Sequence, residues 1–283
     1  MKSLSKVGAM TRCSDVQVEP LPGTAKQGSV YVVFEWPYGW SRDVLDGETF
    51  GKELTAQLKQ HLGSAHLQLI KHPVHRKPDL HHCYLVFAEE GITELVLLKG
   101  PEDICNLDLT GPGKNGGGPI DGPLVLVCTH GKRDVCCAIK GRPLAVGLDE
   151  RFPGGVVWET SHTKGHRFAP SVLLMPWGYS FGRLNIEAAS NMVETAKRGE
   201  FFIPANRGRG LLAPPDQVRE LHVAERLIVE GETVRYGDLT VADGVVKHKD
   251  GRNWKVDLKE VEVDGVVSSC GTDPKPGTAF IVA

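Results

Sequence analysis

The sequence of 283 residues lacks several features that would place it in a large class of proteins. No apolar run approaches the roughly 18 residues needed to span a bilayer, and the N-terminal stretch MKSLSKVGAMTRCSD has no apolar core of a secretory signal. Lys and Arg number 33 against 35 Asp and Glu, so the net charge of −2 gives no basic footprint for nucleic acid. We therefore expect a cytoplasmic protein that binds neither nucleic acid nor membranes.

Motifs of the common nucleotide-binding and thiol-exchange proteins are missing as well. The Gly-rich stretch at 111–118 is not followed by Gly-Lys-[Ser/Thr], so it is no P-loop. The chain has no Cys-x-x-Cys, which is the spacing that positions a resolving thiol for disulfide exchange. Seven cysteines is an odd number, and in a reducing compartment clustered thiols favour metal or redox use over a disulfide framework.

Apolar patterning divides most of the chain into two halves with the same order of elements, namely strand, helix, strand and hairpin. In the first half the segments are 30–35, 47–63, 66–70, 83–88 and 94–98. In the second half they are 123–127, 133–152, 155–159, 171–175 and 180–184, with a further helix at 187–199. The pattern predicts an α/β protein with two β-α-β-β units. The similarity of the two halves is explained either by internal duplication or by the general likeness of short β-α-β units.

A local sequence match supports the duplication. GWSRDVL at 39–45 occupies the place in the first half that GKRDVCC at 131–137 occupies in the second. This match puts Trp36 and Leu45 near the positions of Cys128 and the later cysteines, so the first copy would have no metal ligands. The predicted divisions are a first unit at 1–110, a Gly/Pro-rich linker at 111–122, a second unit at 123–212, and a helix with a small β-rich module at 213–283.

Two cysteines and two histidines are the candidate metal ligands of the sequence. Cys128 and Cys137 lie nine positions apart, and His162 and His166 lie four positions apart. Their loops each follow a predicted strand, and the two strands become parallel neighbours if a β-α-β crossover joins them. The loops would then meet at the carboxyl ends of the strands. Two thiolates and two imidazoles at this edge make a four-coordinate metal site.

The spacing leaves the kind of metal open. Zinc knuckles place their cysteines two to four positions apart, and a gap of eight residues is loose for that geometry. A two-iron cluster is wider, and its ligands can divide as two cysteines on one iron and two histidines on the other. On spacing alone, zinc and an iron–sulfur cluster are equal. Cys136 is an alternative thiol ligand to Cys137, although its simplest role is packing within the helix.

Other polar groups near these candidate ligands have simpler explanations. Asp134 is predicted at the start of the helix, where a carboxylate suits the helix dipole. His130 is either a group that supports the site or an exposed loop residue. The remaining thiols lie far away in sequence, and we interpret Cys13, Cys83 and Cys105 as structural. Nothing in the C-terminal module indicates a chemistry, apart from Cys270 in the stretch SSCG.

The stretches CTHGKRDVCCAIKGRPLA and ETSHTKGHRFAPSVLLMPWGYSFGRL, at 128–145 and 159–184, resemble the sucrase/ferredoxin-like family. That family contains the thioredoxin-like [2Fe–2S] ferredoxin relatives, and similar stretches near both chain ends extend the resemblance over most of the sequence. The resemblance implies that the two β-α-β-β units are thioredoxin-like. It also implies that Cys128 and Cys137 hold one iron of a [2Fe–2S] cluster and that His162 and His166 hold the other.

The function implied by this resemblance is electron transfer rather than catalysis. The protein would carry one electron per cluster, with proton coupling as a further expectation, and would exchange it with an unidentified redox partner protein, either a reductase or an acceptor. Nothing supplies the paired carboxylates that glycoside hydrolysis requires, in spite of the word sucrase in the family name. The alternatives are a zinc-binding structural or interaction protein and a thiol–disulfide oxidoreductase that uses Cys136 and Cys137.

Overall fold

The computed structural model describes residues 12–74 and 78–283. The start of the predicted first unit, residues 1–11, and the short stretch 75–77 lie outside the described residues. Within the described part, ten strands form one sheet that carries both predicted units, and two small antiparallel sheets follow towards the C-terminus. The fold is therefore mixed α/β with a small β-rich C-terminal module, as the sequence predicts.

The first half contributes one helix and five strands. They are β1 (Val30–Glu35), α1 (Lys52–Leu62), β2 (His66–Lys71), β3 (His81–Phe87), β4 (Ile92–Leu98) and β5 (Gly118–Pro119). Helix α1 begins at Lys52 rather than at residue 47, because Gly47 and Gly51 adopt φ angles of 93° and 82°, which an α-helix cannot contain. The predicted linker at 111–122 contains the two residues of β5, which pair with β4 and form the edge of the sheet.

The second half repeats the order strand, helix, strand and hairpin. Its elements are β6 (Leu124–Cys128), α2 (Val135–Arg151), β7 (Val157–Thr160), β8 (Ser171–Met175), β9 (Tyr179–Gly182), α3 (Ile186–Lys197) and β10 (Asn206–Arg209). Helix α2 begins after Asp134, whose carboxylate accepts a hydrogen bond from the Cys136 backbone N–H at 2.9 Å. The hairpin of β8 and β9 turns at PWGY, with Leu174 paired to Tyr179. The elements from β6 to α3 agree with the predicted segments, whereas β10 was not predicted, because its sequence NRGR has no apolar pattern.

The C-terminal region adds one helix and five strands. They are α4 (Pro214–Val229), β11 (Leu239–Ala242), β12 (Val245–His248), β13 (Asn253–Lys255), β14 (Leu258–Val266) and β15 (Lys275–Val282). Helix α4 starts with two prolines, whose missing N–H groups have no intrahelical partner at that position in any case. It packs against β10, β11 and β15, and so connects the module to the main sheet. No helix in the described ranges is long and apolar enough to cross a membrane.

The strand order shows that the two halves share one topology. The order is β10-β9-β8-β6-β7-β2-β1-β3-β4-β5. In each half the strand before the helix pairs in parallel with the strand after it, as β1 does with β2 and β6 with β7. The halves meet in the antiparallel pairing of β2 with β7, where Ile70 faces Thr160 and Lys71 faces Glu159. Repetition of the whole unit about this seam supports the internal duplication.

The register of the strands identifies the counterpart of Cys128 in the first half. Cys128 belongs to the last residue pair of β6 with β7, and Glu35 belongs to the last residue pair of β1 with β2. Glu35, one residue before the expected Trp36, is therefore equivalent to Cys128. Its buried carboxylate accepts a hydrogen bond from the His82 backbone N–H at 3.0 Å and lies 2.7 Å from His82 Nδ1. The first half thus has a carboxylate and an imidazole where the second has a thiol.

Helices α1 and α2 cover the same face of the sheet and form the two main cores. Leu58 and Leu62 of α1 pack on Val32 and Phe34, while Leu144 and Leu148 of α2 pack on Val125 and Val127. A third cluster lies on the opposite face and crosses the seam, with Val33, Ile70, Leu126 and Trp158 among its members. Alternating residues of β1 and β6 therefore serve two cores, so these two strands are apolar along most of their length.

Candidate metal centre

A pair of thiols meets where strand β6 ends and helix α2 begins. Cys128 is the last residue of β6, and Cys137 lies in the first turn of α2. A ligand atom of His162 joins them, and the three ligand atoms all lie within 4.8 Å of one another. Both thiols are buried, and His162 is partly buried. The structure thus brings three of the four predicted ligands into one group that can hold a metal.

The close approach of α2 to β6 depends on a glycine. A Cβ atom at Gly141 would lie 2.0 Å from the carbonyl oxygen of Cys128, which is far inside van der Waals contact. Gly141 is one helical turn beyond Cys137, so the two residues lie on the same face of the helix. The missing side chain lets this face touch the strand end, and the contact places the Cys137 thiol beside the Cys128 thiol.

The electrostatic environment favours a thiolate at Cys128. A hydrogen bond from the Cys137 thiol and the neighbouring His162 lower the pKa of Cys128 well below its ordinary value, although complete burial acts in the opposite direction. The pKa of Cys137 is raised correspondingly, because its proton is shared with the Cys128 sulfur and because the site is buried. The two sulfurs thus share one proton. A metal cation that binds both sulfurs would replace this proton.

His162 follows the end of β7 and is held through its backbone by His130. The Nε2 atom of His130 lies 2.8 Å from the Ser41 carbonyl oxygen, which can only accept, so Nε2 carries the proton. Its Nδ1 is then free to accept a hydrogen bond from the His162 backbone N–H at 3.2 Å. The side-chain Nδ1 of His162 is buried and has no hydrogen-bond partner among the described residues. A buried nitrogen without a hydrogen-bond partner, on a ring that is grouped with two thiols, is an atom that a metal ion could satisfy.

His166 lies next to His162 but outside the group of three. Its Nδ1 is 3.5 Å from His162 Nε2, and the ring centroids are 5.1 Å apart. Its Nε2 lies 2.8 Å from the Ser269 hydroxyl and 3.7 Å from an Asp134 carboxylate oxygen. Burial lowers the pKa of His166, which favours the neutral imidazole that metals bind. His166 is thus a neighbour of His162 rather than of the two thiols. Its role as a metal ligand stays a prediction.

A buried arginine supports the loop that carries both histidines. Arg207, on β10, donates hydrogen bonds to the Lys164 carbonyl at 3.2 Å, to the Ser171 hydroxyl at 3.3 Å, and to both oxygens of Thr24. Its guanidinium also lies 4.7 Å from the ring centroid of Phe168. Burial lowers its pKa to about 9, so it remains charged at neutral pH. It fills the space beside Gly165, whose φ is 95° and where a Cβ would lie 2.6 Å from the guanidinium.

Cys136 faces a different direction from its neighbour. It belongs to a second group with Cys13, Asp134 and Cys270, whose ligand atoms also lie within 4.8 Å of one another. Adjacent residues on a helix point about 100° apart, so only one of two neighbouring cysteines can face the strand end. The structure places Cys137 beside Cys128 and places Cys136 elsewhere.

Several residues that support this region could not be predicted from the sequence. Arg207 and Ser269 are distant in sequence from the histidines they contact, and nothing in their local pattern distinguishes them. Cys13 was expected to be an isolated structural thiol, yet it lies in a cluster. Gly141 could have indicated the close contact between α2 and β6. A glycine inside a helix destabilises the helix, so its presence there points to close packing.

Cysteine and histidine side chains meet at the strand ends of this α/β protein, and such an arrangement is typical of proteins that can bind a metal. More narrowly, the family model described as Sucrase/ferredoxin-like matches residues 21–208, and the chain belongs to this family. The match contains all four predicted ligands but neither Cys13 nor Cys270. Comparison with curated proteins and with solved structures gave no significant match.

Replacing Gly141 with alanine should separate α2 from β6. We expect Gly141→Ala to lower the free energy of unfolding by about 1–3 kcal/mol or more, because the added methyl group collides with backbone rather than with a movable side chain. Chemical denaturation of the purified variant measures this change. Gly147→Ala is the matched control on the same helix, where the methyl group meets only the flexible end of Ile186 at 3.1 Å. Equal stability of the two variants would contradict the packing argument.

Removing the charge of Arg207 should destabilise the histidine loop. Arg207→Met keeps an apolar stem against Phe168 but leaves the buried Lys164 and Thr24 carbonyls without donors, at about 1–3 kcal/mol for each unsatisfied group. Thermal and chemical unfolding report the loss. Arg226→Met serves as the control, because Arg226 makes an exposed pair with Glu230 and should change the stability by no more than about 0.5 kcal/mol. A similar loss in both variants would show that Arg207 supports nothing in particular.

Proposed function

We propose that this protein is an electron carrier that holds one [2Fe–2S] cluster through Cys128, Cys137, His162 and His166. The observation that carries the proposal is the gathering of two buried thiols and His162 within 4.8 Å, with His166 next to His162, in a member of the sucrase/ferredoxin-like family. Thiolate and imidazole are the ligand types that suit iron–sulfur clusters.

The residues present fit such a cluster. The two thiols lie side by side, as two ligands of one iron must, and the two imidazoles are likewise neighbours. The buried, unpartnered Nδ1 of His162 is the kind of polar atom that a metal would satisfy. The cluster would supply one-electron chemistry, at a higher potential than four thiolates would give because imidazole ligands are neutral.

The chain controls what surrounds the four ligands. Strand β6 and helix α2 bury the thiols and exclude water from them. Ser269 and Asp134 fix the orientation of His166, and His130 fixes the backbone of His162. Hydrogen-bonded partners of this kind hold ligand orientation and adjust the basicity of the imidazole.

A cleft beside His162 is the natural approach for a redox partner. It is lined by His130 and His162 from the second half and by the start of β2 from the first half. Four cationic side chains, Lys26, Arg42, Arg133 and Lys164, line it against one carboxylate, Asp43. A partner with an acidic surface would be steered to this edge, and raising the ionic strength should slow its association.

A zinc-binding structural protein is the second candidate, because a group of two thiols and one imidazole is also a common set of zinc ligands. Disulfide exchange between Cys136 and Cys137 has less support, since the two thiols belong to different groups. The metal content of the purified protein separates these functions.

Protein produced with sufficient iron and handled without oxygen should be red-brown. We expect about two irons and two inorganic sulfides per chain, because one [2Fe–2S] cluster contains that number. Metal analysis, sulfide determination and the visible spectrum measure it. A colourless protein with zinc at the thiol pair, even after anaerobic reconstitution with iron and sulfide, would contradict the electron-carrier function.

The two adjacent cysteines should differ in their effect on the cluster. Cys137→Ser should abolish the visible absorption, because the thiol beside Cys128 is lost. Cys136→Ser is the matched control one residue away and should retain a near-native spectrum, because its side chain faces the other group. Iron content per chain and the visible spectrum of both variants report the outcome. The reverse result would make Cys136 the ligand.

A further inference from the structure

Three thiols and a carboxylate meet at the start of α2, in a group separate from the thiol pair. Cys13 comes from a short 3₁₀ turn, Cys13–Asp15, near the N-terminus, and Cys270 comes from the loop between β14 and β15. Asp134 and Cys136 belong to the beginning of α2. Segments separated by more than 100 positions thus contribute one cysteine each.

The distances within this group suit a single ion. The Cys13 sulfur lies 3.7 Å from the Cys136 sulfur and 3.6 Å from the Cys270 sulfur, and the latter two are 3.2 Å apart. A tetrahedral zinc ion with Zn–S bonds of about 2.3 Å separates its sulfurs by about 3.8 Å. In a [2Fe–2S] cluster each iron takes only two protein ligands, so a third thiolate would have to lie on the other iron and farther from the first two. The three sulfurs are therefore spaced for one ion and need to open only slightly.

Asp134 supplies the fourth potential ligand, a carboxylate, and contacts residues from two of the three segments. Its Oδ1 is 3.1 Å from the Cys270 sulfur, and both of its oxygens lie 3.8 Å from the Cys13 sulfur. The backbone N–H groups of Cys136 and Cys270 donate to the two carboxylate oxygens at 2.9 and 3.0 Å. The carboxylate is thus fixed in place, and each of its oxygens keeps a further lone pair for a cation.

Packing alone does not explain this arrangement. Cys83 shows what an apolar core thiol looks like in this protein, since it lies among leucine and phenylalanine side chains. Cys13 and Cys136 are equally buried, but they lie against a carboxylate and a third thiol. A buried carboxylate among sulfurs is costly unless a positive charge accompanies it. Cys270 is only partly buried, which leaves an entry path for an ion.

We propose that Cys13, Asp134, Cys136 and Cys270 form a second, mononuclear site that binds Zn²⁺. Zinc favours this site because three thiolates and one carboxylate are among its usual ligands and because a tetrahedral arrangement suits it. The ion would fasten the N-terminal turn and the loop between β14 and β15 to α2. It would also hold Ser269 against His166, because Ser269 precedes Cys270 in that loop.

Metal analysis of cysteine variants tests the site. The starting protein is the full chain with Cys128→Ser and Cys137→Ser, so that the thiol pair cannot hold zinc, isolated without oxygen and loaded with Zn²⁺. We expect about one zinc per chain after dialysis. Adding Cys13→Ser or Cys270→Ser should lower the zinc content at least tenfold. Adding Cys105→Ser is the matched control, because Cys105 is also partly buried but belongs to neither group.

Titration with Co²⁺ in the same background gives a second measurement that does not depend on how well each variant folds. Tetrahedral thiolate coordination should produce intense visible bands together with sulfur-to-cobalt charge transfer, and Zn²⁺ should displace the cobalt. A weak spectrum without charge transfer would overturn the proposal. So would zinc that stays bound when Cys13 and Cys270 are both replaced.

Iron and zinc measured together in the otherwise unsubstituted chain separate this proposal from the electron-carrier function. Cys270→Ser should lose zinc and keep iron, and Cys137→Ser should lose iron and keep zinc. Absence of iron from every preparation would refute the cluster and leave the zinc site standing. Absence of zinc from an iron-loaded protein after exposure to Zn²⁺ would refute the zinc site alone.

Discussion

The contact between Gly141 and the carbonyl oxygen of Cys128 is the constraint on which both groups of candidate metal ligands depend. It brings the first turn of α2 against the end of β6, and this fixes the rotation of the helix about its axis. With that rotation set, Cys137 faces Cys128 and Cys136 must face away. One missing side chain therefore assigns two neighbouring thiols to two different groups.

Asp134 connects these two groups. It caps the start of helix α2, lies among the three thiols of the second group, and lies 3.7 Å from His166, the neighbour of His162 in the first group. The charge at one group is therefore felt at the other through a single carboxylate in a partly dehydrated environment. Arg207 supports the histidine loop independently of Asp134, because it donates a hydrogen bond from β10 to the Lys164 carbonyl.

Much of the fold and part of the site follow from local sequence pattern. The strands, the helices and the repeated unit could be predicted because periodicity and turn residues act over short distances. The closeness of Cys128, Cys137 and His162 could be predicted because a β-α-β crossover brings successive strand ends together. The closeness of Cys13 and Cys270 could not, since 257 positions separate them and tertiary packing alone makes them neighbours. The position of Glu35 likewise required the strand register.

The seam between the two halves has a consequence for the number of electrons that the proposed carrier would hold. Cys128, Thr160, Ile70 and Glu35 form one row across four neighbouring strands, so three strand spacings, about 14 Å, separate the two equivalent positions. If each half held a cluster of the proposed kind, a second electron would meet the first with a repulsion of about 1 kcal/mol at an effective dielectric constant of about 20. Reduction would then occur in two steps at different potentials. With Glu35 bonded to His82 instead, the row offers a single thiol-bearing position, and a centre there would titrate as one uncoupled step.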